Sequence, residues 1–347
     1  MIDVLVVGEG PAGLATAIRC TLAGLSVTVA EPRTTPIEKA CGEGVMPAAV
    51  RRLAALGVKP DGHPLRGIRY VDERHQADAR FRHGAGLGVR RTVLHAALAE
   101  RAAALGIPVL PTRVTAFEQC HSHVTAAGTE ARYLVAVDGL HSTIRRVLEG
   151  GSAAGPRRRE APRYGLRRHY RVAPWTDLVE VHLTARAEAY VTPVSPGVVG
   201  IALLLSQPGG DNFEARLSAT FPALSRRLAG AACASEVRGA EPMRQSLRRR
   251  VHGRVVLVGD ASGYLDALTG EGLGVGLAQA EVLVRCLAAG RPGDYERAWR
   301  KVSGPAWRLT AGLLWSRNQP LLAARLVAAA QYVPWLFSTV VNHVAQA

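Results

Sequence analysis

Short apolar runs alternate with glycine-rich turns and helical stretches along the first third of the chain. Ile2-Asp3-Val4-Leu5-Val6-Val7 is β-branched and leucine-rich and predicts a buried strand. It runs straight into Gly8-Glu9-Gly10-Pro11-Ala12-Gly13. Alanine and leucine then predict a helix over 12–24, closed by Gly24. Val27–Ala30 predicts a second strand, ending at Glu31. Strand, glycine turn, helix, strand and acid together form the opening βαβ unit of a doubly wound sheet.

Further on, helices are predicted at 47–56, with Pro47 near the start and Gly57 at the end, and at 91–105, ended by Gly106. Short stretches at 66–89 read as irregular strands of a second layer. Segments 109–118 and 123–127 read as a hairpin pair, and Tyr133–Val137 as a buried strand ending in Asp138-Gly139. Residues 150–163, dominated by Gly, Ala, Pro and Arg, mark a boundary or loop. Strand signals at 164–172, 178–183, 189–193 and 198–205 predict a mostly antiparallel sheet. A helix at 212–229, a strand at 254–258 before Gly259-Asp260-Ala261, and a helix at 274–289 follow.

The fold class is therefore α/β. A doubly wound, Rossmann-like domain (1–65, 90–160 and 245–294) is interrupted by a mostly antiparallel β-rich substrate domain (66–89 and 161–244). A C-terminal helical segment covers 295–347. That segment carries four of the five tryptophans and no formal charge after Arg325. It reads either as helices packed on the core or as an apolar surface for a lipophilic substrate, a partner or a peripheral membrane contact.

Composition narrows the class. The 347 residues are 48% hydrophobic and 20% charged, enough for a sizeable core and unlike a disordered chain. Five scattered cysteines form no CxxC pair, and no secretory leader opens the sequence. A reducing, cytoplasmic setting is the expectation. Before the C-terminus no uncharged apolar run reaches the roughly 20 residues of a membrane-spanning helix, and in the uncharged tail after Arg325 Pro334 and the polar Gln331, Asn342 and His343 argue against a span.

The net charge of +15 raises the question of nucleic acid. Of the basic residues only Lys39, Lys59 and Lys301 are lysines, and the arginines are scattered rather than gathered in a tail. The expectation is compositional bias together with steering of anionic ligands, and no nucleic-acid partner. No group of His, Cys, Asp and Glu has metal-ligand spacing, so no metal is expected.

The glycines carry the chemistry. Gly8 allows the tight turn, Gly10 lets the backbone approach a pyrophosphate, and Gly13 permits close helix–strand packing. The helix N-terminus beyond them presents N–H groups to phosphate. Glu31 is placed to accept hydrogen bonds from the adenosine ribose. Pro11, Ala12 and Arg33 belong to the same candidate nucleotide site.

Three motifs resemble the FAD-dependent family that includes para-hydroxybenzoate-hydroxylase-type monooxygenases and geranylgeranyl reductases. They are Gly8–Gly13 with Glu31, Asp138–Arg145, and Gly259–Gly263 continuing to Thr269–Gly274. The resemblance covers roughly residues 1–290 and implies FAD as cofactor. It implies that Asp260 lies beside the pyrophosphate and ribityl chain, with Gly259. It also implies that Gly270, Gly272, Leu273 and Gly274 lead into a helix whose N-terminus faces the flavin pyrimidine. Asp138 would shape the nucleotide site, Arg91 would match the family's arginine at a helix start, and Val114 would lie on a strand passing over the adenine. NAD(P)H would dock transiently, or a partner would supply reduced flavin.

Two reactions stay open on this resemblance. Cys41-Gly42-Glu43-Gly44 resembles the reductase branch and makes Cys41 and Glu43 catalytic candidates. The segment 164–205 resembles small flavin monooxygenases and makes His169, Tyr190 and Tyr264 candidates, each of which also reads as a packing residue. Monooxygenation of a small to mid-sized aromatic or unsaturated metabolite is the first expectation, by hydroxylation or epoxidation. Reduction of an alkene or isoprenoid is the alternative, and a non-catalytic FAD-binding protein is the third.

Overall fold

The Ile2–Val7 strand is the centre of the larger architecture, flanked by Val27–Ala30 on one side and Thr129–Ala136 on the other, all parallel. Val109–Leu110 continues the sheet beyond Val27–Ala30, and Val255–Leu257 beyond Thr129–Ala136. In chain order the five parallel strands therefore run 3-2-1-4-5 across the sheet, and the order reverses at the first strand. The computed structural model describes residues 1–150, 163–185, 187–206, 212–240, 245–323 and 325–346. Most of the expected boundary loop at 150–163 lies outside the described residues.

Burial explains this sheet's composition. Val4, Leu5, Val6, Val29, Leu134, Val135, Val256 and Leu257 are fully enclosed, because helices cover one face of the sheet while Val114, Val124, Ala126 and Ile144 cover the other. The helices Pro11–Leu22 and Arg91–Ala104 pack together, and Gly272–Ala288 packs on Pro11–Leu22. Leu14, Ile18, Leu98, Leu277 and Leu283 join the same core.

The second sheet runs in the order 232–233, 164–171, 198–205, 187–195, 178–183, 67–71, 76–80. It is antiparallel except where Leu178–Leu183 lies parallel to Gly67–Val71. One end is covered by the helices Phe213–Thr220 and Pro222–Arg227, which bury Phe213, Leu217 and Leu224. The expected single helix at 212–229 is two, because Pro222 lacks the N–H to continue the first and instead starts the second. The other end is covered by Leu326–Tyr332 and Pro334–Val344 from the C-terminus, whose Val327, Phe337 and Val341 pack on Ile68 and Ala79.

The expected 109–118/123–127 hairpin is shorter than the pattern suggested. Val109–Leu110 joins the parallel sheet, and only Glu118–Gln119 pairs with Val124–Ala126. A small sheet of Gly44–Val45, His63–Leu65 and Gly86–Gly88 bridges the two larger ones. There a Cβ on Gly88 would fall 1.7 Å from the Pro193 carbonyl oxygen, so only glycine lets the two layers touch.

Candidate active site

The C-terminal ends of the central parallel strands open onto a cavity of about 580 Å³ between the two sheets. Its floor is the first glycine turn. Gly8 has φ 108°, and a Cβ there would meet the Val137 carbonyl oxygen at 2.6 Å. A Cβ on Gly13 would lie 1.9 Å from the Gly8 oxygen. Gly10 is different: within 4 Å its Cβ would meet only the Arg91 guanidinium, at 3.8 Å. Gly10 therefore faces open cavity, in front of a helix with no side-chain cap to occupy its first N–H groups. Pro11 and Ala12 share this wall.

Carboxylates flank the turn. Glu31 is 2% exposed and accepts four hydrogen bonds: from the Arg33 N–H (3.1 Å), Arg33 Nε (2.8 Å), Arg33 Nη2 (2.9 Å) and the Glu9 N–H (3.1 Å). These fill its lone-pair sites, so a ribose hydroxyl must displace the half-exposed Arg33 side chain to reach it. Those bonds outweigh burial and hold the Glu31 carboxyl below the usual carboxylate range. Asp138 Oδ2 accepts the Thr143 N–H at 2.7 Å and the Ile144 N–H at 3.3 Å, while its buried Oδ1 has no protein partner. Arg91 and Val114 also line the cavity. Val114 lies in an irregular stretch rather than on the expected strand, held there by its own burial.

The facing wall comes from the returning chain. Gly259, at φ 64°, starts a 3₁₀ turn to Ser262, and Gln279 Oε1 accepts its N–H at 2.7 Å. Asp260 lies on the wall with Lys39 Nζ 3.4 Å from its Oδ2. Gly270, Gly272 and Leu273 line the cavity at the start of the Gly272–Ala288 helix. Gly13 and Gly274 stand behind the wall, in helix packing.

Glu43 and His169 meet although 126 residues separate them. Glu43 Oε2 lies 2.6 Å from His169 Nε2, with both side chains at most 1% exposed. Glu43 Oε1 accepts the Arg91 N–H at 2.9 Å, and Arg167 Nε lies 3.9 Å away. His169 Nδ1 is 2.8 Å from Ser235 Oγ and 3.1 Å from an Arg167 nitrogen. Glu43 holds φ 60°, uncommon for a residue with a side chain. Across from it a Cβ on Gly200 would come within 3.1 Å of Oε2. Glu43 borders the cavity, whereas His169 lies behind it.

The other candidates differ in their freedom. The Tyr190 hydroxyl donates to the Leu268 carbonyl at 2.8 Å, and burial pushes its pKa well up. It is tied to the loop that precedes Gly270. Tyr264 also faces the cavity, and burial raises its pKa in the same way. Cys41 lines the cavity, its Sγ 3.4 Å from the Glu43 N–H. The apolar end is closed by Ile68, Tyr70, Val179, Val181, Leu313 and Val341.

Two features were not singled out in the sequence. Arg163 pairs with Glu188 and, at 3.4 Å, with Asp266, while Arg317 reaches Glu188 at 2.7 Å. A glutamate within the apolar Ala187–Ser195 strand was the available signal. Burial, more than Arg163 offsets, pushes the Asp266 carboxyl up to about 6. Glu271, 5% exposed, borders a smaller cavity behind the main wall. Burial pushes its carboxyl up to about 7, with the Thr269 side chain offsetting only part of that cost. Among the described residues no group of His, Cys, Asp and Glu forms a metal site.

An open glycine cradle at an uncapped helix N-terminus, beside an unpartnered Asp138 oxygen at the switch point of a 3-2-1-4-5 sheet, defines a dinucleotide-binding protein whose site fits FAD. Residues 1–297 match the FAD binding domain family, and the chain belongs to it. It is an FAD-dependent oxidoreductase. It is 27% identical over 340 residues to menaquinone reductase of Mycolicibacterium smegmatis, covering 86% of this chain and 79% of that protein. To rifampicin monooxygenase of Streptomyces venezuelae it is 29% identical over 317 residues, covering 83% and 64%. A flavoprotein/dehydrogenase from Cytophaga hutchinsonii shares the fold, with TM-score 0.83, 19% identity, and coverage of 99% and 93%.

Proposed function

We propose that the protein transfers one oxygen atom from O₂ to a small or mid-sized apolar aromatic or unsaturated molecule, by hydroxylation or epoxidation, with two electrons from NAD(P)H and the second oxygen atom leaving as water. The observation that carries this reading is the enclosed apolar end of the cavity, beside which Glu43 and Tyr190 are already committed to protein partners. Glu43 is bound to His169 and the Arg91 N–H, and Tyr190 to the Leu268 carbonyl. A hydride reduction of an alkene needs a positioned proton donor for carbon. Oxygen transfer instead needs an enclosed apolar space that excludes water, which Ile68, Val179, Val181 and Leu313 supply.

In this reading the Gly8–Gly13 turn and its helix hold the pyrophosphate, and Glu31, after Arg33 moves, takes the ribose. Asp260 borders the ribityl chain. Reduced FAD supplies the activation of O₂. The N–H groups at the N-terminus of the Gly272–Ala288 helix would favour negative charge on the bound cofactor. Glu43 and His169 act as positioning residues that fix the 38–44 loop against the substrate sheet. NAD(P)H is the transient reductant, drawn in by the positive field of the +15 chain.

One observation favours the second reading, reduction of an alkene or isoprenoid. The Cys41 thiol lines the cavity in a segment that resembles the reductase branch, and several relatives are named menaquinone reductase or digeranylgeranylglycerophospholipid reductase. Cys41→Ala separates the two. Oxygen transfer predicts substrate-dependent NAD(P)H oxidation in air that stays near the wild-type rate. A loss of about 100-fold or more, the scale of a missing general acid, with product still forming under nitrogen in the wild type, establishes the reductase instead.

A further inference from the structure

The exposed large aromatic side chains among the described residues are all in the C-terminal helices: Trp315 at 61%, Tyr332 at 75% and Trp335 at 69%. Leu322 and Leu336 are exposed beside them in sequence. Such side chains are costly in water unless a partner covers them. The same segment is one-signed. No Asp or Glu follows Glu296, whereas Arg297, Arg300, Lys301, Arg308 and Arg325 do, besides Arg317, which is buried against Glu188.

The helix periodicity sorts these residues. Along Tyr295–Arg317 the exposed face passes through Arg297, Lys301 and Arg308, then through Gly312 to Trp315. It is basic first and apolar at its end. Leu313 points the other way and lines the main cavity. In Pro334–Val344 the arrangement repeats: Trp335 and Leu336 face out, while Val341 and Val344 are buried on the cavity wall. In each of these two helices one layer, about 10 Å thick, therefore separates the cavity from the exposed aromatic side.

We propose that this face docks on an anionic phospholipid bilayer and that the substrate is a lipid-soluble molecule taken from it. Tryptophan and tyrosine favour the level of the headgroups, where an apolar ring and a polar edge are both satisfied. Arginine and lysine without carboxylates add attraction to anionic lipid. The contact is peripheral, since no helix among the described residues is long and apolar enough to cross a membrane. A protein partner would need its own acidic, apolar counterpart, whereas an anionic bilayer supplies both properties at once. The substrate class deepens the oxygen-transfer reading, but the docking itself does not rest on it, because membrane binding is measured without turnover.

The test is flotation of the full-length, FAD-loaded protein with phosphatidylcholine/phosphatidylglycerol vesicles and with phosphatidylcholine alone. The wild type should float with the anionic vesicles, less with the neutral ones and less as salt rises. Trp315→Ser/Tyr332→Ser/Trp335→Ser should lose on the order of ten-fold or more of the binding, with its flavin content and unfolding temperature unchanged. Should the triple variant fold poorly, Trp335→Ser alone and quenching of wild-type tryptophan fluorescence by brominated lipid give the same answer. A wild type that stays out of the anionic vesicle fraction overturns the proposal. So does a folded variant that floats equally well, or a wild type whose patch is covered by a second copy, seen as lipid-free dimers that the variant lacks.

Discussion

Glu43 Oε2 and His169 Nε2, 2.6 Å apart and shut off from water, tie the 38–44 loop to the antiparallel sheet. Removing either partner strands a buried polar group, which costs about 1–3 kcal/mol. His169→Ala and Glu43→Gln should each lower stability by that amount. In a double-mutant cycle the two losses should fall short of additivity by about 1 kcal/mol or more. Additive losses in denaturant unfolding would mean that the contact is energetically idle.

Gly10 and Gly13 make opposite demands. Gly10→Val places its side chain in the open cradle, so FAD retention after purification should fall at least about ten-fold while apoprotein stability stays within about 0.5 kcal/mol. Gly13→Ala drives a methyl into the Gly8 carbonyl at 1.9 Å and should destabilise the apoprotein itself by about 1–3 kcal/mol or more. Thermal unfolding with and without FAD separates the two effects. Equal loss of apoprotein stability in both variants would contradict the assigned roles.

Asp260→Ala should weaken FAD retention, because the carboxylate lies on the cavity wall after the Gly259 turn. Flavin absorbance per protein after gel filtration reads this directly. Unchanged occupancy removes Asp260 from the cofactor site.

Glu271 and Asp266 give the pH dependence. Both carboxyls are raised by burial, Glu271 from 4.5 to about 7 and Asp266 from 3.8 to about 6. Folding therefore favours their protonated forms. Their stabilising contribution is complete below the unfolded values and is lost as pH rises through about 6 and 7. For Glu271 that loss is on the order of 3 kcal/mol. Glu271→Gln should flatten the fall in stability between pH 5 and pH 8, read by urea unfolding, while Asp266 leaves a smaller slope. A variant with the wild-type pH profile shows that Glu271 titrates normally.

Much of the fold was legible because local rules and tertiary packing agree there. The Ile2–Val7 run, the glycine turn and Glu31 specify the βαβ unit almost alone, since a buried parallel strand and a tight turn each admit few residue types. The antiparallel strands from 164 to 205 were equally plain. The hairpin expected from 109 to 127 was not, because Val109–Leu110 is claimed by the sheet edge beside Val27–Ala30. Pro222 was a local signal that divides the expected helix. In the site, Glu43 and His169 were separate candidates. Their partnership depends on how two sheets pack across Gly200, and periodicity carries no information about that. The Arg163, Glu188, Asp266 and Arg317 cluster was hidden for the same reason: each looks like a surface charge until distant strands and helices enclose it.

The oxygen-transfer reading is tested most directly with isotopically labelled dioxygen. FAD-loaded protein is supplied with NAD(P)H and a panel of apolar phenols and alkenes, and the products are weighed by mass spectrometry. The account predicts a product carrying one labelled oxygen atom and none under nitrogen. A product that gains two hydrogens without the label, and forms equally well under nitrogen, would contradict it.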